Sequence, residues 1–230
     1  MVQATDGELG KVKDMYVDSE NWAIRYLEID TLKWLPGKKV LVSPISFDSV
    51  DLLEKRISIF ATKEQIKNSP SVDEPITRKV EGELFNYYGW SPYWIGSGLW
   101  GDWFSPNQIP LESTSIEGMG PSDDEDHSYL RSMNEMKGKI NGYMVTAKDG
   151  QIGKVIDFIL DDESWAIDSL VIDTGDLLPG KKVVVSPEAI DSVNRLSQEI
   201  YLNEKKEEIL TKSKRSLSGR IDDIGKRNTG

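Results

Sequence analysis

An ungapped internal repeat constrains the fold of this chain more than any other feature. The segment DGELGKV at residues 6–12 returns as DGQIGKV at 149–155, an offset of 143 residues. The same offset aligns LPGKKV at 35–40 with LPGKKV at 178–183, and about half of the positions from residue 5 to about residue 66 are identical. We therefore infer two copies of one domain, each of roughly 70 to 80 residues, which is an ordinary size for a small domain.

Each copy is predicted to consist mainly of short β-strands. The expected strands of the first copy are 9–18, 22–30, 40–42, 47–53 and 56–60. Asp6-Gly7 is a residue pair that tight hairpins favour, because glycine tolerates positive φ. Thr62 and Gln65 have the spacing of a capping box, which predicts a short helix after the last strand. Short strands with closely spaced turns favour a small antiparallel β-barrel or a sandwich.

Composition divides the chain into four parts. The predicted parts are a first domain over 1–70, a connector over 71–128, a second domain over 129–212 and a basic tail over 213–230. Residues 67–137 carry 12 acids against 5 bases, whereas the tail carries 5 bases against 2 acids and is expected to be disordered. Met1 aligns with Met144, so the first copy begins within its own first strand. We expect residues to be missing before Met1; the alternative is that the first domain borrows a strand.

Composition also excludes several classes of site. The absence of cysteine rules out disulfides, thiolate zinc sites and iron–sulfur ligation, and the single histidine, His127, rules out a histidine-rich metal site. No glycine-rich nucleotide loop is present, so no cofactor is expected. The net charge of −11 opposes a phosphate backbone, so no nucleic-acid partner is expected. Without a long apolar run or a secretory signal, we expect a cytoplasmic protein with at most peripheral contact with the inner membrane.

Clusters of acidic residues and pairs of lysines recur at equivalent positions in both copies. Each of these features has two possible interpretations. The acids are Asp14, Asp18 and Glu20 in the first copy and Asp157, Asp161, Asp162 and Glu163 in the second. Carboxylate oxygens are suitable ligands for a divalent cation, but the spacing of these acids is not that of a calcium-binding loop. We therefore favour a solvated turn and assign no residue to a metal site. A Pro-Gly pair precedes two lysines in each copy, Lys38-Lys39 and Lys181-Lys182. These lysines could bind an anion, but we favour the interpretation that they are ordinary surface lysines.

The connector contains a markedly aromatic stretch. Nine of the twenty residues from Phe85 to Phe104 are aromatic. The candidate interaction residues are Tyr87, Tyr88, Trp90, Tyr93, Trp94, Trp100 and Trp103. Tryptophan and tyrosine anchor protein interfaces, so one interpretation is a partner-binding surface. The favoured interpretation is that the stretch packs back onto the two domains, and a third is contact with lipid headgroups, which the negative charge disfavours. Trp22 and Trp165, which open the same strand in each copy, suit a core position or ligand stacking.

Several of these motifs together resemble a known family. ATDGELGKV at 4–12, DSENWAIRYL at 18–27 and WLPGKKVLVSP at 34–44 resemble the PRC-barrel family, and the second copy resembles it equally. The phrase YYGWSPYW at 87–94 is similar to the connector of tandem bacterial members. The family takes its name from the cytoplasmic domain of the photosynthetic reaction centre H subunit. The resemblance implies two six-stranded antiparallel barrels, each followed by a short helix.

The resemblance brings no catalytic motif and implies a module that mediates protein contacts. We therefore expect a non-catalytic bacterial adaptor that binds a protein partner or a second copy of itself, with no catalytic residue and no cofactor. The alternative is an accessory domain like the reaction centre H subunit, docking on a membrane electron-transfer complex. A third and weaker possibility is an enzyme that uses carboxylates alone.

Overall fold

A computed structural model describes residues 1–72, 75–110, 129–138, 140–175 and 182–213. The chain divides into two compact units. Unit 1 comprises the described residues of Met1–Met133 and Asp162–Ala166, and unit 2 comprises those of Asn134–Asp161 and Ile167–Gly230. The acidic run at 123–126, His127, Lys181 and the tail beyond Ser213 lie outside the described residues.

Unit 1 contains one sheet of seven strands. They are β1 (Val2–Ala4), β2 (Gly7–Asp18), β3 (Ala23–Asp30), β4 (Val40–Val42), β5 (Phe47–Asp51), β6 (Arg56–Ile59) and β7 (Leu130–Ser132). Hydrogen bonds order them β4-β3-β2-β1-β6-β5, and β7 pairs with β2. Helices α1 (Lys63–Asn68) and α2 (Arg78–Tyr88) belong to the same unit. The sequence assigns residues 130–132 to the start of the second copy, whereas this strand pairs within unit 1.

Unit 2 repeats the same strand order. Its strands are β8 (Met144–Ala147), β9 (Gly150–Leu160), β10 (Ile167–Asp173), β11 (Lys182–Val185), β12 (Ile190–Asn194) and β13 (Glu199–Leu202), ordered β11-β10-β9-β8-β13-β12. Helix α3 (Met133–Met136) precedes them, and residues 206–213 are helical. The order equals that of unit 1 without β7, so the aligned copies share one topology.

The prediction of a mainly β fold is confirmed, but the antiparallel assignment is wrong for one pair in each sheet. Strand β1 runs parallel to β6, and β8 runs parallel to β13. The closing hairpin returns beside the first strand of its copy, and its second strand meets that first strand in the same direction. Among the described residues, no ladder joins β4 to β5 or β11 to β12, so a closed barrel is not confirmed.

Strained backbone positions recur at the 143-residue offset. The non-glycine residues with positive φ include Trp22, Lys55, Trp165 and Gln198, which form two equivalent pairs. A Cβ on Gly10 would lie 1.8 Å from the carbonyl oxygen of Asp30, and one on Gly153 would lie 2.0 Å from that of Asp173. These glycines are required because the neighbouring strand approaches the backbone too closely for any side chain.

The repeated aspartate within the first hairpin turn also holds the following helix. The Asp6 carboxylate accepts a hydrogen bond from the Lys63 backbone N–H at 2.8 Å, and Asp149 accepts one from that of Lys206 at 2.9 Å. Thr62 forms the predicted capping box at the start of α1. One residue of each Asp-Gly pair therefore shapes the turn, while the other ties a helix to the sheet.

Candidate functional site

The structure places most of the predicted aromatic surface inside unit 1. The buried members are Trp90, Tyr93 and Trp100, each at most 4% exposed. The members that are half-buried against the same core are Tyr88, Trp94 and Trp103. Tyr87 is 39% exposed, and its hydroxyl donates to the Gln65 carbonyl oxygen at 2.9 Å. Of the seven predicted contact residues, Tyr87 therefore offers the most surface to a partner in this fold.

A buried arginine organises the aromatic rings. The side chain of Arg25, on β3, is 1% exposed. Its guanidinium carbon lies 3.9 Å from the ring centroid of Tyr93 and 4.6 Å from that of Trp100. Its Nη1 donates to the carbonyl oxygen of Leu99 at 2.7 Å. Because cation–π attraction strengthens when the cation is desolvated, Arg25 holds the aromatic stretch on the sheet.

Asp18, the last residue of β2, supplies the opposite charge. Arg25 donates to Asp18 Oδ2 through Nη2 at 3.0 Å and through Nε at 3.3 Å. The Asn21 amide nitrogen donates to the same oxygen at 3.0 Å. Burial raises the pKa of Asp18, but the Arg25 charge and these hydrogen bonds outweigh burial and leave the pKa below its usual value. The carboxylate is therefore ionised at neutral pH.

A second buried carboxylate belongs to Glu81 on α2. Glu81 Oε1 accepts from the Tyr26 hydroxyl at 3.0 Å and from the Tyr93 hydroxyl at 2.5 Å. Arg78 donates to Oε2 at 2.9 Å. Burial raises the pKa of Glu81 and outweighs the opposing effect of Arg78. Burial, followed by the Glu81 charge, also raises the pKa values of both tyrosines well above normal, so both phenols remain protonated donors at neutral pH.

These side chains form one buried network, the Arg25 cluster. Its members are Asp18, Arg25, Tyr26, Arg78, Glu81 and Tyr93. Tyr93 belongs to both halves, since its ring faces the Arg25 guanidinium and its hydroxyl binds Glu81. The carboxylates bind donors from their own unit, so we interpret the cluster as the device that fixes α2 and the aromatic stretch against β2 and β3. Replacing both partners of a buried ion pair with apolar residues is often neutral for stability, whereas removing one partner alone is strongly destabilising.

Sequence reasoning missed Arg25 and Glu81. The internal repeat contains the one sequence difference that points to this cluster. Arg25 aligns with Asp168 and Tyr26 aligns with Ser169, in a strand that is otherwise similar in the two copies. A change from a basic and an aromatic residue to an acidic and a small one marks a face that is covered differently in the two copies.

The acidic turns differ from the proposed cation site. Among the described residues, no group of three acidic or histidine side chains is placed to hold a metal ion. Asp18 is bound to Arg25, and Asp14 accepts a hydrogen bond from the Ser132 hydroxyl at 2.5 Å. Asp162 and Glu163 are exposed. Asp14 and Asp18 therefore make contacts within unit 1, so the favoured prediction of a solvated turn is wrong for the buried Asp18, whereas Glu20 is exposed.

The first lysine pair binds oxygen atoms of its own unit. Lys38 Nζ donates to the carbonyl oxygens of Ile66, Lys67 and Ser69 at 3.2, 2.8 and 2.5 Å, at the carboxyl end of α1. Burial lowers the pKa of Lys38. Lys39 donates to the hydroxyl of Tyr16 at 2.8 Å. In the first copy these lysines therefore act as structural donors.

The surface of unit 1 carries an apolar patch on the β5–β6 hairpin. We call Val50, Leu52 and Leu53 the hairpin patch, and these residues are 37%, 65% and 94% exposed. All three line the same groove of unit 1. In unit 2, Leu196 is 98% exposed, but Arg195 stands where unit 1 has Leu52. The contiguous patch is therefore particular to unit 1.

Comparison with known proteins relates most of the first copy to one family. Residues 2–66 match the model of the PRC-barrel domain. A search of the curated proteins found no match. None of the helices in the described ranges is both long enough and apolar enough to cross a membrane.

Proposed function

We propose that this chain is a non-catalytic interaction protein whose hairpin patch binds an apolar surface on a protein partner. The observation that carries the proposal is the exposure of three nearby apolar side chains on one hairpin of the domain that matches the PRC-barrel model. Exposed patches of this kind, bordered by polar residues, mark protein contacts more often than isolated surface leucines do.

The surroundings of the patch suit a contact surface. Asp51 and Arg56 flank the hairpin turn, with their charged atoms 3.9 Å apart. An apolar centre with a polar rim is the usual anatomy of an interface. Each apolar Å² removed from water contributes roughly 25 cal/mol, so covering the two leucines favours association. In this proposal the connector has a structural role and is not the contact surface, because most of its aromatic rings complete the core of unit 1.

We further propose that residues 129–212 contain a second domain of the PRC type. The sequence repeat, the identical strand order and the equivalent strained positions support this assignment. In this proposal the tandem copies share a scaffold but differ in surface chemistry, and the first copy carries the principal contact.

The test compares three versions of the full chain as affinity bait in extracts of the source cells. They are the wild type, the double variant Leu52→Asp/Leu53→Asp and the control Leu196→Asp, whose leucine is equally exposed in unit 2. Recovered proteins are quantified by mass spectrometry, and sedimentation velocity reports self-association. We expect one defined set of partners with the wild type and with Leu196→Asp, reduced at least fivefold with the double variant.

Circular dichroism shows whether the double variant is folded. Equal recovery by all three folded proteins would contradict the proposal. A concentration-dependent mass that only the double variant loses would identify the partner as a second copy. Recovery confined to membrane electron-transfer proteins would favour the accessory role resembling the reaction centre H subunit.

A further inference from the structure

A second groove of unit 1 combines carboxylates with aromatic rings. It has a volume of about 330 Å³ and borders β5. Its principal lining residues are Phe47, Asp48, Asp162, Glu163 and Trp165, all of which belong to unit 1. We call it the acidic groove. The Arg25 cluster, the lysine contacts and the hairpin patch do not account for this arrangement.

The charges of the acidic groove are uncompensated. Asp48, Asp162 and Glu163 are exposed. Among the described residues, no lysine or arginine forms an ion pair with them. They are also not grouped closely enough to hold a metal ion. A cationic side chain suits these acids, because an ammonium group offers three hydrogen-bond donors and a guanidinium group five, all of which carboxylates accept.

The aromatic pair adds a second feature that favours a cation. The rings of Phe47 and Trp165 lie edge to face, with centroids 5.0 Å apart and planes at 77°. The indole is half-buried and lines the groove together with the acids. Tryptophan is the aromatic residue that attracts cations most strongly. Carboxylates beside an indole therefore favour lysine or arginine over an uncharged ligand.

The neighbouring strand provides a way to align an incoming chain. Strand β5 is the last strand in the hydrogen-bonded order of its sheet, so in the described structure its outer edge has no partner strand. Extended peptides bind such edges through main-chain hydrogen bonds, while side-chain pockets give specificity. Pairing with a second copy of β5 in the register that sets Asp48 opposite Asp48 is disfavoured, because like charges directly opposite are destabilising.

We propose that the acidic groove binds a lysine or arginine side chain from an extended segment of a partner protein. The inference rests on the proposed interaction function and adds the chemistry of the partner: a basic segment whose cation lies between Trp165 and the carboxylates. It also explains why a chain with a net charge of −11 keeps three acids beside an open strand edge.

The test measures peptide binding by fluorescence anisotropy with the full chain. The probes are two labelled octapeptides of alternating valine with arginine or with glutamate. The groove variant is Asp48→Asn/Asp162→Asn/Glu163→Gln. The control is Glu20→Gln/Glu64→Gln/Asp191→Asn, which removes the same charge from exposed acids outside the groove. Trp165→Leu removes the indole without changing the charge.

We expect the wild type to bind the arginine peptide at least tenfold more tightly than the glutamate peptide. The groove variant should lose at least fivefold in affinity, Trp165→Leu at least twofold, and the control less than twofold. Equal losses in the groove variant and the control would overturn the proposal, because binding would then follow net charge alone. Equal affinity for the two peptides would also overturn it.

If the triple variant does not fold, the single variant Glu163→Gln replaces it as the groove variant in the binding measurements. Partner recovery that depends on Leu52 and Leu53 while the groove variants bind normally would refute the acidic groove and leave the proposed function standing. Normal peptide binding together with partner recovery that is unaffected by the hairpin patch would refute the proposed function instead.

Discussion

The two copies share strand order and turn geometry but differ in what covers the third strand of each. In unit 1, Arg25 is buried between the rings of Tyr93 and Trp100 and pairs with Asp18. In unit 2, the equivalent positions are Asp168 and Asp161, and both are exposed. One scaffold therefore accepts either a buried ion pair under an aromatic cover or a solvated acidic surface.

This difference shows that different residues determine the repeated backbone and the aromatic cover, by which we mean the rings that pack over the third strand of unit 1. The backbone depends on glycine at the close approaches and on aspartate within the first hairpin turn, and both copies keep these residues. The cover depends on Arg25 and Tyr26 of β3, which the second copy replaces with aspartate and serine, whereas Asp18 of β2 is kept as an aspartate. The predictions below test each half of this comparison.

The largest expected effect comes from Arg25. Arg25→Ala leaves the Asp18 charge buried and removes the cation from both rings, so unit 1 should lose about 3–5 kcal/mol of unfolding free energy. Asp168→Ala, at the exposed equivalent position, should change stability by less than about 0.5 kcal/mol. Urea titration followed by circular dichroism measures both values. Similar losses in the two variants would show that the copies are covered alike.

Trp100 provides the corresponding test of the aromatic cover. Its side chain is fully buried, and its Nε1 donates to the Ser164 carbonyl oxygen at 2.7 Å. Trp100→Ala should therefore cost about 3–5 kcal/mol of unfolding free energy. Phe104→Ala, in the same stretch but at a position 69% exposed, should cost less than about 0.5 kcal/mol. Urea titration measures both; a Trp100 variant as stable as the wild type would contradict the buried cover.

The shared scaffold predicts equal effects in the two copies. Gly10→Ala and Gly153→Ala should each lower the unfolding free energy by more than about 1 kcal/mol, because a Cβ would clash with a strand carbonyl. Gly82→Ala, on α2 with no neighbouring atom within 4 Å, should instead raise it by up to about 1 kcal/mol. Thermal unfolding of the three variants checks the expectation. A clash in one copy only would mean that the backbones are not equivalent.

A smaller effect is expected from pH. Burial raises the pKa of Glu81 in the folded state, so the folded chain keeps this proton to a higher pH than the unfolded chain. The stability of unit 1 should therefore fall as the pH rises from the ordinary glutamate pKa through the raised value. Asp18, whose pKa is lowered, acts in the opposite direction and at more acidic pH.

Urea titrations between pH 4 and 8 separate this contribution. Glu81→Gln should lack the decline, whereas Glu83→Gln, which alters an exposed residue of the same helix, should keep it. A wild type and a Glu81→Gln variant with parallel pH profiles would show that Glu81 titrates normally.

Local patterns predicted the strands of the first copy and helix α1 well. The turn pair Asp6-Gly7 lies where β1 turns into β2, with a positive φ at Gly7, and Thr62 forms its capping box; both are short-range signals. The parallel pairing of β1 with β6 is a long-range arrangement that alternation of apolar residues does not encode. Barrel closure, which the resemblance implied, stays a prediction for the same reason.

The candidate surface was harder to predict. A run of tryptophan and tyrosine has the same composition whether it binds a partner or fills a core, and its fate depends on distant residues such as Arg25 and Glu81. The hairpin patch and the acidic groove depend on exposure, which the sequence does not show. Only the contrast between the two copies, residue by residue, carried information about the cover.

Hydrogen–deuterium exchange of the full chain tests most directly whether the aromatic stretch is part of the core of unit 1. Peptides covering residues 90–104 should exchange as slowly as those covering β3, and Arg25→Ala should speed exchange in 90–104 while leaving β10 unchanged. Rapid exchange of 90–104 in the wild type, comparable with that of the exposed turn at residues 52–55, would contradict the account.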